Sequence, residues 1–375
     1  MLQAKSNPTP IMVDLTGGGQ TYAVTDSQGL FANYPQSWMA FFERWHETTE
    51  ALFATDTWHI GNWWLSGGAR VQHVNVGGEF QGQTSGDLDA NPLTLYNNTS
   101  EYLINSFTHP SYNKSAPSWT AGATYAFNNN MSAYARVNDG VFMPGFDDVV
   151  ALPTVPVEKI HNMEVGFKYQ APWIFLDVSA YRRLFYGIPY VFDQPNGGQI
   201  NLVYGSSTKG LDLQTIIKPF ENFSVTVVAD YMEGHYDHHE GCVPYTAQDG
   251  STQCGIIDGK VLDRQPRIQY RVTPAYVVPT GWGHMKFWFT FEHIGGRFGD
   301  QLNQQPLGSY HDFAIGALAD IGKNWELMLR GTNVTNQLGI TEGNARLFGF
   351  ASGGGVILAR SIQGREVNFQ VKYKF

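Results

Sequence analysis

The chain lacks long apolar runs. No uninterrupted stretch of its 375 residues approaches the ~18 that a membrane helix needs, and the mean hydropathy is −0.26. That excludes a helical membrane protein but not membrane-crossing strands, which show lipid only every second residue and give no hydropathy peak. Charge is scarce too: Asp, Glu, Lys and Arg make up 15% of the chain, against about 25% in soluble proteins. The net charge of −9 comes without a basic patch, so nucleic acid is not expected as a partner. Phosphate-binding loops, zinc signatures and nucleophile elbows are missing, which argues against an enzyme. No cofactor is implied.

Only two cysteines occur, Cys242 and Cys254. An even count in a lightly charged chain suits an oxidising compartment. The polar, Gly-containing segment between them can close as a loop disulfide; two unrelated buried thiols are the other reading. A secretory signal is also absent, since MLQAKSNPTPIMVDLTGGG has neither the basic nor the long apolar region of one.

What is present is aromatic residues, glycine and alternation. Phe, Trp and Tyr reach 14%, and there are 41 Gly. In the closing segment Val367, Phe369, Val371, Tyr373 and Phe375 fall on one face, and Asn368, Gln370, Lys372 and Lys374 on the other. Period 2 is the signature of a strand with one apolar and one polar face. The same alternation predicts thirteen strands, at 52–60, 63–73, 118–127, 131–141, 159–170, 173–186, 209–219, 224–236, 267–278, 285–297, 310–321, 325–336 and 365–375. Within pairs the connections are tight and carry Asn, Gly or Pro, residues that tolerate turn dihedrals. Between pairs they are long, spanning 75–117, 142–157, 188–205, 237–264, 298–308 and 337–363. Strict alternation of short and long connections is the habit of outer-membrane barrels, with short periplasmic turns and long extracellular loops. Residues 1–49 lack the pattern and read as an irregular segment, with 39–50 open to a short helix and 20–24 to a partial strand; residues 50–375 form the barrel portion.

The alternation assigns faces. Met285, Phe287, Phe289 and Phe291 oppose Lys286, Trp288, Thr290 and Glu292, with no ionisable residue on the apolar side. Trp63, Trp119, Trp173, Trp282 and Trp325 are expected near tight turns, where an interfacial girdle would lie. Ligand contacts are expected from lumen-facing residues near the strand tops: Arg136, Tyr181, Arg183, Arg264, Glu292 and Arg297. Loop aromatics Tyr186, Tyr190 and Phe192 join them. Guanidinium groups suit anionic chelates through charge-assisted bonds, although a wet lumen also carries Arg without any ligand. His235, His238 and His239 are the only metal-like cluster. Their spacing is not a zinc pattern, so a solvated loop is the simpler reading and no metal site is assigned.

Several segments resemble TonB-dependent outer-membrane receptors. They are the closing strand Gly364–Phe375, Gly331-Thr-Asn-Val-Thr-Asn-Gln337, Val157-Glu-Lys-Ile-His-Asn-Met-Glu-Val-Gly-Phe-Lys-Tyr169, Tyr134-Ala-Arg-Val-Asn-Asp-Gly-Val-Phe142, Ser207-Thr-Lys-Gly-Leu-Asp-Leu213 and Ala51-Leu-Phe-Ala-Thr-Asp-Thr-Trp58. The resemblance implies an all-β, antiparallel transmembrane β-barrel of 22 strands, of which this chain would hold about the C-terminal thirteen, with no plug domain. It implies that Met1 is not the parent protein's start, that Phe375 is a natural end, and that the sheet is open, with unpaired backbone on its first and last strands. It also implies placement in the bacterial outer membrane, contact with its lipid, capture of a small molecule such as a ferric siderophore, and energy from TonB through the plug. Carbohydrate or vitamin import, a passive channel and a soluble all-β protein are the competing readings. On the barrel reading, washing membranes with detergent-free buffer should leave the protein in the pellet. Full release into that buffer would instead favour the soluble reading.

Overall fold

The computed structural model describes residues 2–5, 12–14, 21–23, 42–86, 100–103, 106–151, 155–193, 199–237, 242–246, 252–344 and 358–375. A single antiparallel sheet of fourteen strands dominates it. In chain order these are β1 (Leu2–Lys5), β2 (Phe42–Ile60), β3 (Trp63–Gln81), β4 (Ser111–Asn128), β5 (Met131–Phe142), β6 (Glu158–Ala171), β7 (Ile174–Asp193), β8 (Gln199–Phe220), β9 (Phe223–Asp237), β10 (Ile268–Thr280), β11 (Gly283–Ile294), β12 (Tyr310–Ile321), β13 (Trp325–Thr332) and β14 (Glu366–Tyr373). Each of these strands pairs with its neighbours in this order, so the sheet is an up-and-down meander. The thirteen expected strands correspond one to one with β2 to β14. Among the described residues β14 pairs only with β13, and β1 covers only Phe42, Glu43, Arg44 and Trp45 of β2. The sheet is therefore open, a portion of a barrel, and no plug is present among the described residues.

Tight turns join the strands of each hairpin. Gly61 and Asn222 supply the left-handed dihedrals these turns need, with φ of 58° and 65°. Turn asparagines also reach the adjacent hairpin: Asn62 O accepts from Ala126 N at 2.9 Å, and Asn222 O from Val277 N at 2.8 Å. The segment Gly331-Thr-Asn-Val-Thr-Asn-Gln337 does the same job at the other end. The Nδ2 of buried Asn333 donates to the carbonyls of Gln337 and Gln363, both at 2.9 Å. Asn336 Oδ1 accepts from Arg365 N at 3.1 Å. This knot ties the exit of β13 to the entry of β14.

The structure departs from the sequence reading in several places. Residues 42–50, open to a helical reading, belong to β2. Their backbone groups pair with those of residues 73–81, and partners across a ladder outweigh local propensity. Of the expected loop at 188–205, residues 188–193 and 199–205 are strand, because β7 and β8 run on past a register shift between Phe185 and Ile188. The other long connections carry small elements of their own: hairpins at Gln83–Gly86 with Ser100–Leu103, Val243–Thr246 with Thr252–Gly255, Arg297–Phe298 with Pro306–Leu307, and Ile340–Asn344 with Leu358–Ser361, and the helix α1 (Phe146–Ala151).

Register fixes the two faces. Outward, an apolar band includes Val165, Leu211, Phe287, Ile315, Leu329 and Phe369, all exposed. At the turn end it is closed by aromatic contacts: Trp63 with Tyr125 at 4.8 Å, Phe220 with Phe223 at 4.9 Å and Trp325 with Tyr373 at 4.7 Å. Trp119 is not among them. It stands nine residues from the turn end of β4, on the opposite rim of the band. Nine residues at about 3.3 Å, tilted by about 40°, rise ~23 Å, close to the ~25 Å apolar band of such barrels. Asp56 is an exception to the apolar rule, on the outward register of the edge strand β2.

Inward, α1 packs over the loop end of β3 and β4. Phe146 and Val149 join Val74, Val76, Tyr112 and Val155 in a small buried core, and Trp45 stacks on Phe146 at 5.9 Å. The face below it is polar. Phe289→Arg places a charge in the outward band and should destabilise the folded barrel by about 2–4 kcal/mol. Thr290→Arg, one residue on and inward, should cost far less. Denaturant unfolding in phospholipid vesicles measures both, and equal costs would reverse the face assignment.

Candidate functional site

Lateral rows cross the inner face. One carries Arg136, Glu164, Tyr181 and Gly210 on successive strands. The next row toward the loops carries Asn138, Asn162, Arg183 and Thr208. Three of the expected contacts, Arg136, Tyr181 and Arg183, thus share one region. Alternation makes this possible, since residues two apart on a strand share a face.

Glycine shapes these rows. Tyr134 pairs with Gly166, Tyr181 with Gly210 and Trp288 with Gly316, and each ring lies across the glycine of the next strand. A Cβ there would overlap the ring. Gly166 and Gly210 belong to the segments 157–169 and 207–213 quoted from the sequence, so those segments have a packing role. Tyr134 OH donates to Glu164 at 2.7 Å. Tyr181 OH donates to Asp230 at 3.0 Å, and Gln269 Nε2 donates to the same carboxylate at 3.2 Å.

At the loop end of β7, β8 and β9 the inner face hollows into a cavity of about 640 Å³. Tyr181, Arg183, Tyr204, Asp212, Asp230 and Tyr236 form its strand walls, and 262–266 forms its rim. The Arg183 guanidinium lies 4.0 Å from the centroid of the Tyr181 ring, and cation–π contact with this buried ring holds it in place. Asp212 stands opposite Asp230 across the ladder. Tyr236 is buried, meets the Tyr204 ring edge-on at 5.1 Å and donates to the Asp263 carboxylate.

The rim is held by loop-to-loop contacts. Tyr236, Val243, Ile257 and Leu262 make a buried apolar cluster, and the Cys242–Cys254 disulfide closes the segment that supplies Val243. Asn303 reaches across from the next connection: its Nδ2 donates to Val261 O and its Oδ1 accepts from Val261 N, both at 2.8 Å. Arg264 lines the cavity, donates its N–H to Phe298 O at 2.7 Å and pairs with Glu342 at 3.3 Å.

Other expected contacts lie elsewhere. Arg297 is buried, and its guanidinium donates to the carbonyls of Gly295, Ile340 and Thr341 at 3.3, 2.6 and 2.9 Å. Its donors hold two connections together and do not face the cavity. Glu292 is inward but accepts from Arg271 at 2.8 Å, away from the cavity. Tyr186 is on the outward register, because it follows outward Arg182 and Leu184 at intervals of two. Tyr190 pairs with Leu202 in the ladder; its side chain, that of Phe192, and residues His238 and His239 lie outside the described ones. His235 Nδ1 is 3.2 Å from Gly259 O. Asp230, Tyr204, Tyr236 and Asp263 were not singled out from sequence. Alternation along β9 puts Tyr236 on the face of Asp230, and alternation along β8 puts Tyr204 on the face of Asp212; Asp263 lies outside the strands and nothing local marks it.

An open meander with an apolar outer band, a polar inner face and a loop-capped inward cavity defines part of a transmembrane β-barrel. The family model described as TonB dependent receptor-like, beta-barrel, matches residues 11–336, and the chain belongs to that family. No curated protein matches it in sequence. Among solved structures it resembles the ferric yersiniabactin uptake receptor FyuA from Yersinia pestis, with TM-score 0.66 and 16% identity over 90% of this chain and 47% of that one. It resembles the siderophore receptor PiuA from Acinetobacter baumannii at TM-score 0.63, with 14% identity over 90% of this chain and 57% of the other. The copper transporter OprC gives TM-score 0.64 and 12% identity, over 90% of this chain and 49% of that one. The chain spans about half the length of these proteins. Members of the family reside in the outer membrane of Gram-negative bacteria.

Gly210→Val should push the Tyr181 ring off its seat and destabilise the fold by about 1–3 kcal/mol through overpacking. Gly67→Val, where an added Cβ meets nothing within 4 Å, should be close to neutral. Denaturant midpoints of the two variants check the contrast.

Proposed function

We propose that the protein of whose barrel this chain forms a part takes up a scarce anionic chelate, a ferric siderophore by preference, across the bacterial outer membrane, with energy from TonB through a plug. The observation that carries the reading is the inward cavity at the loop end. Its Arg183 guanidinium is fixed by Tyr181 and has no carboxylate bonded to it among the described residues, whereas Arg264 is paired with Glu342. A preorganised guanidinium between aromatic walls suits a flat, negatively charged chelate. Family membership and the siderophore receptors among its structural relatives support the substrate class and the location. They support TonB as energy source only at the level of the family.

One observation favours a second reading. Asp212, Asp230 and Asp263 outnumber Arg183 and Arg264 along the cavity, and Tyr204 and Tyr236 offer ring faces and edges. Carboxylates that accept from hydroxyls beside aromatic rings also suit a carbohydrate. Equilibrium binding of ferric hydroxamates, ferric catecholates and neutral oligosaccharides to the folded chain in detergent micelles separates the two. On the chelate reading Arg183→Ala weakens chelate binding by roughly ten- to a hundredfold, the range for a bond to a charged group. Saturable binding of an oligosaccharide, with no response to any chelate, would replace it by the carbohydrate reading.

A further inference from the structure

The outer surface carries a row of charges that the uptake reading does not use. Arg182 of β7 pairs in register with Lys209 of β8, and Lys209 with Glu233 of β9. All three are on the outward face, because the inward residues at the adjacent positions, Tyr181, Arg183, Thr208 and Gly210, line or underlie the cavity. Arg267, at the loop end of β10, extends the row by pairing with Glu233. Directly below it, toward the turns, the outward residues are Ala180, Leu211 and Tyr231. The row thus stands where the apolar band ends, eight residues above Ile174, the turn end of β7.

The charges do not balance. Glu233 is the one carboxylate in the row. It accepts from Tyr231 OH at 2.8 Å, lies 3.2 Å from Lys209 Nζ and also meets Arg267. Arg182 has no carboxylate partner among the described residues. Three cations therefore share one anion. They are open to the surroundings, with side-chain exposures of 71% for Lys209 and 64% for Arg267 against 22% for Glu233. Arg267 also lies over the Tyr231 ring at 5.6 Å, which leans it toward the outward surface. By contrast Asp139 and His161, the outward pair on β5 and β6, stand one to one.

We propose that this row binds the phosphate group of a lipid in the loop-side leaflet. Position and charge both select that occupant. The row stands at headgroup depth, directly above residues that would meet acyl chains. A phosphate there supplies the missing negative charge and accepts from Arg182, Lys209 and Arg267 at once, in forked geometry from the guanidinium groups. A soluble anion could match the charge but gains nothing from the apolar band beneath.

The inference rests on the outward face meeting lipid, which the test checks separately. The full chain is folded into nanodiscs that mix phosphatidylcholine with lipid A, and bound lipid is counted by native mass spectrometry after transfer to detergent. The chain should retain lipid A in preference to phosphatidylcholine. The triple variant Arg182→Gln, Lys209→Gln, Arg267→Gln should lose that preference by on the order of a hundredfold, the sum of three near-surface cations. Glu233→Gln, which frees two cations, should strengthen it. Lys372→Gln, inward on β14, should leave it unchanged. Circular dichroism confirms that each variant keeps its strand content. An unaltered preference in the triple variant, or displacement of lipid A by inorganic phosphate alone, overturns the proposal. Failure of the chain to enter any nanodisc would instead refute the membrane placement.

Discussion

Everything in this chain depends on keeping backbone N–H and C=O groups paired where no water can reach them. A hydrocarbon layer offers no replacement hydrogen bonds, and each unsatisfied group there costs several kcal/mol. A meander meets that demand with the least chain, because each strand finds its partner one tight turn or one loop away. Once the ladder is fixed, side chains have only two directions. The outward set becomes an apolar band bounded by aromatics below and charges above, and the inward set becomes rows of hydroxyls, carboxylates and guanidinium groups. The cavity, the charged outer row and the rings lying over glycine all follow from that one division.

Sequence alone revealed the division well and its details poorly. Period-2 alternation and the rhythm of short and long connections located thirteen strands because both signals are local. Strand ends were less legible. Residues 42–50, 188–193 and 199–205 carry weak alternation of their own and are strand only because a neighbour supplies backbone partners. Trp119 was assigned to the wrong rim, because a girdle residue read without its distance from the turn has no depth.

For the candidate site the same limit applies. Alternation put Arg136, Tyr181 and Arg183 inward, and the ladder set them in adjacent rows. It could not tell that Arg297 is occupied by carbonyls of a distant connection, since those partners lie 43 and 44 residues away. Nor could it bring Asp263 to Tyr236: that residue arrives on a connection packed by an apolar cluster, where no period exists to read.

The asparagine knot between β13 and β14 has a consequence for assembly. Asn333 and Asn336 bind carbonyl and amide groups on both sides of a long connection, so the loop's ends are brought together by its own polar side chains. Closing a long loop costs entropy that rises only slowly with length, and this clasp offsets part of that cost. It holds the entry of β14 beside the exit of β13, one residue beyond the ladder pair of Thr332 with Glu366. A slip by one residue would turn Val367, Phe369 and Val371 to the wrong side. The clasp acts as a molecular index mark: it fixes the phase of the final strand at its entry.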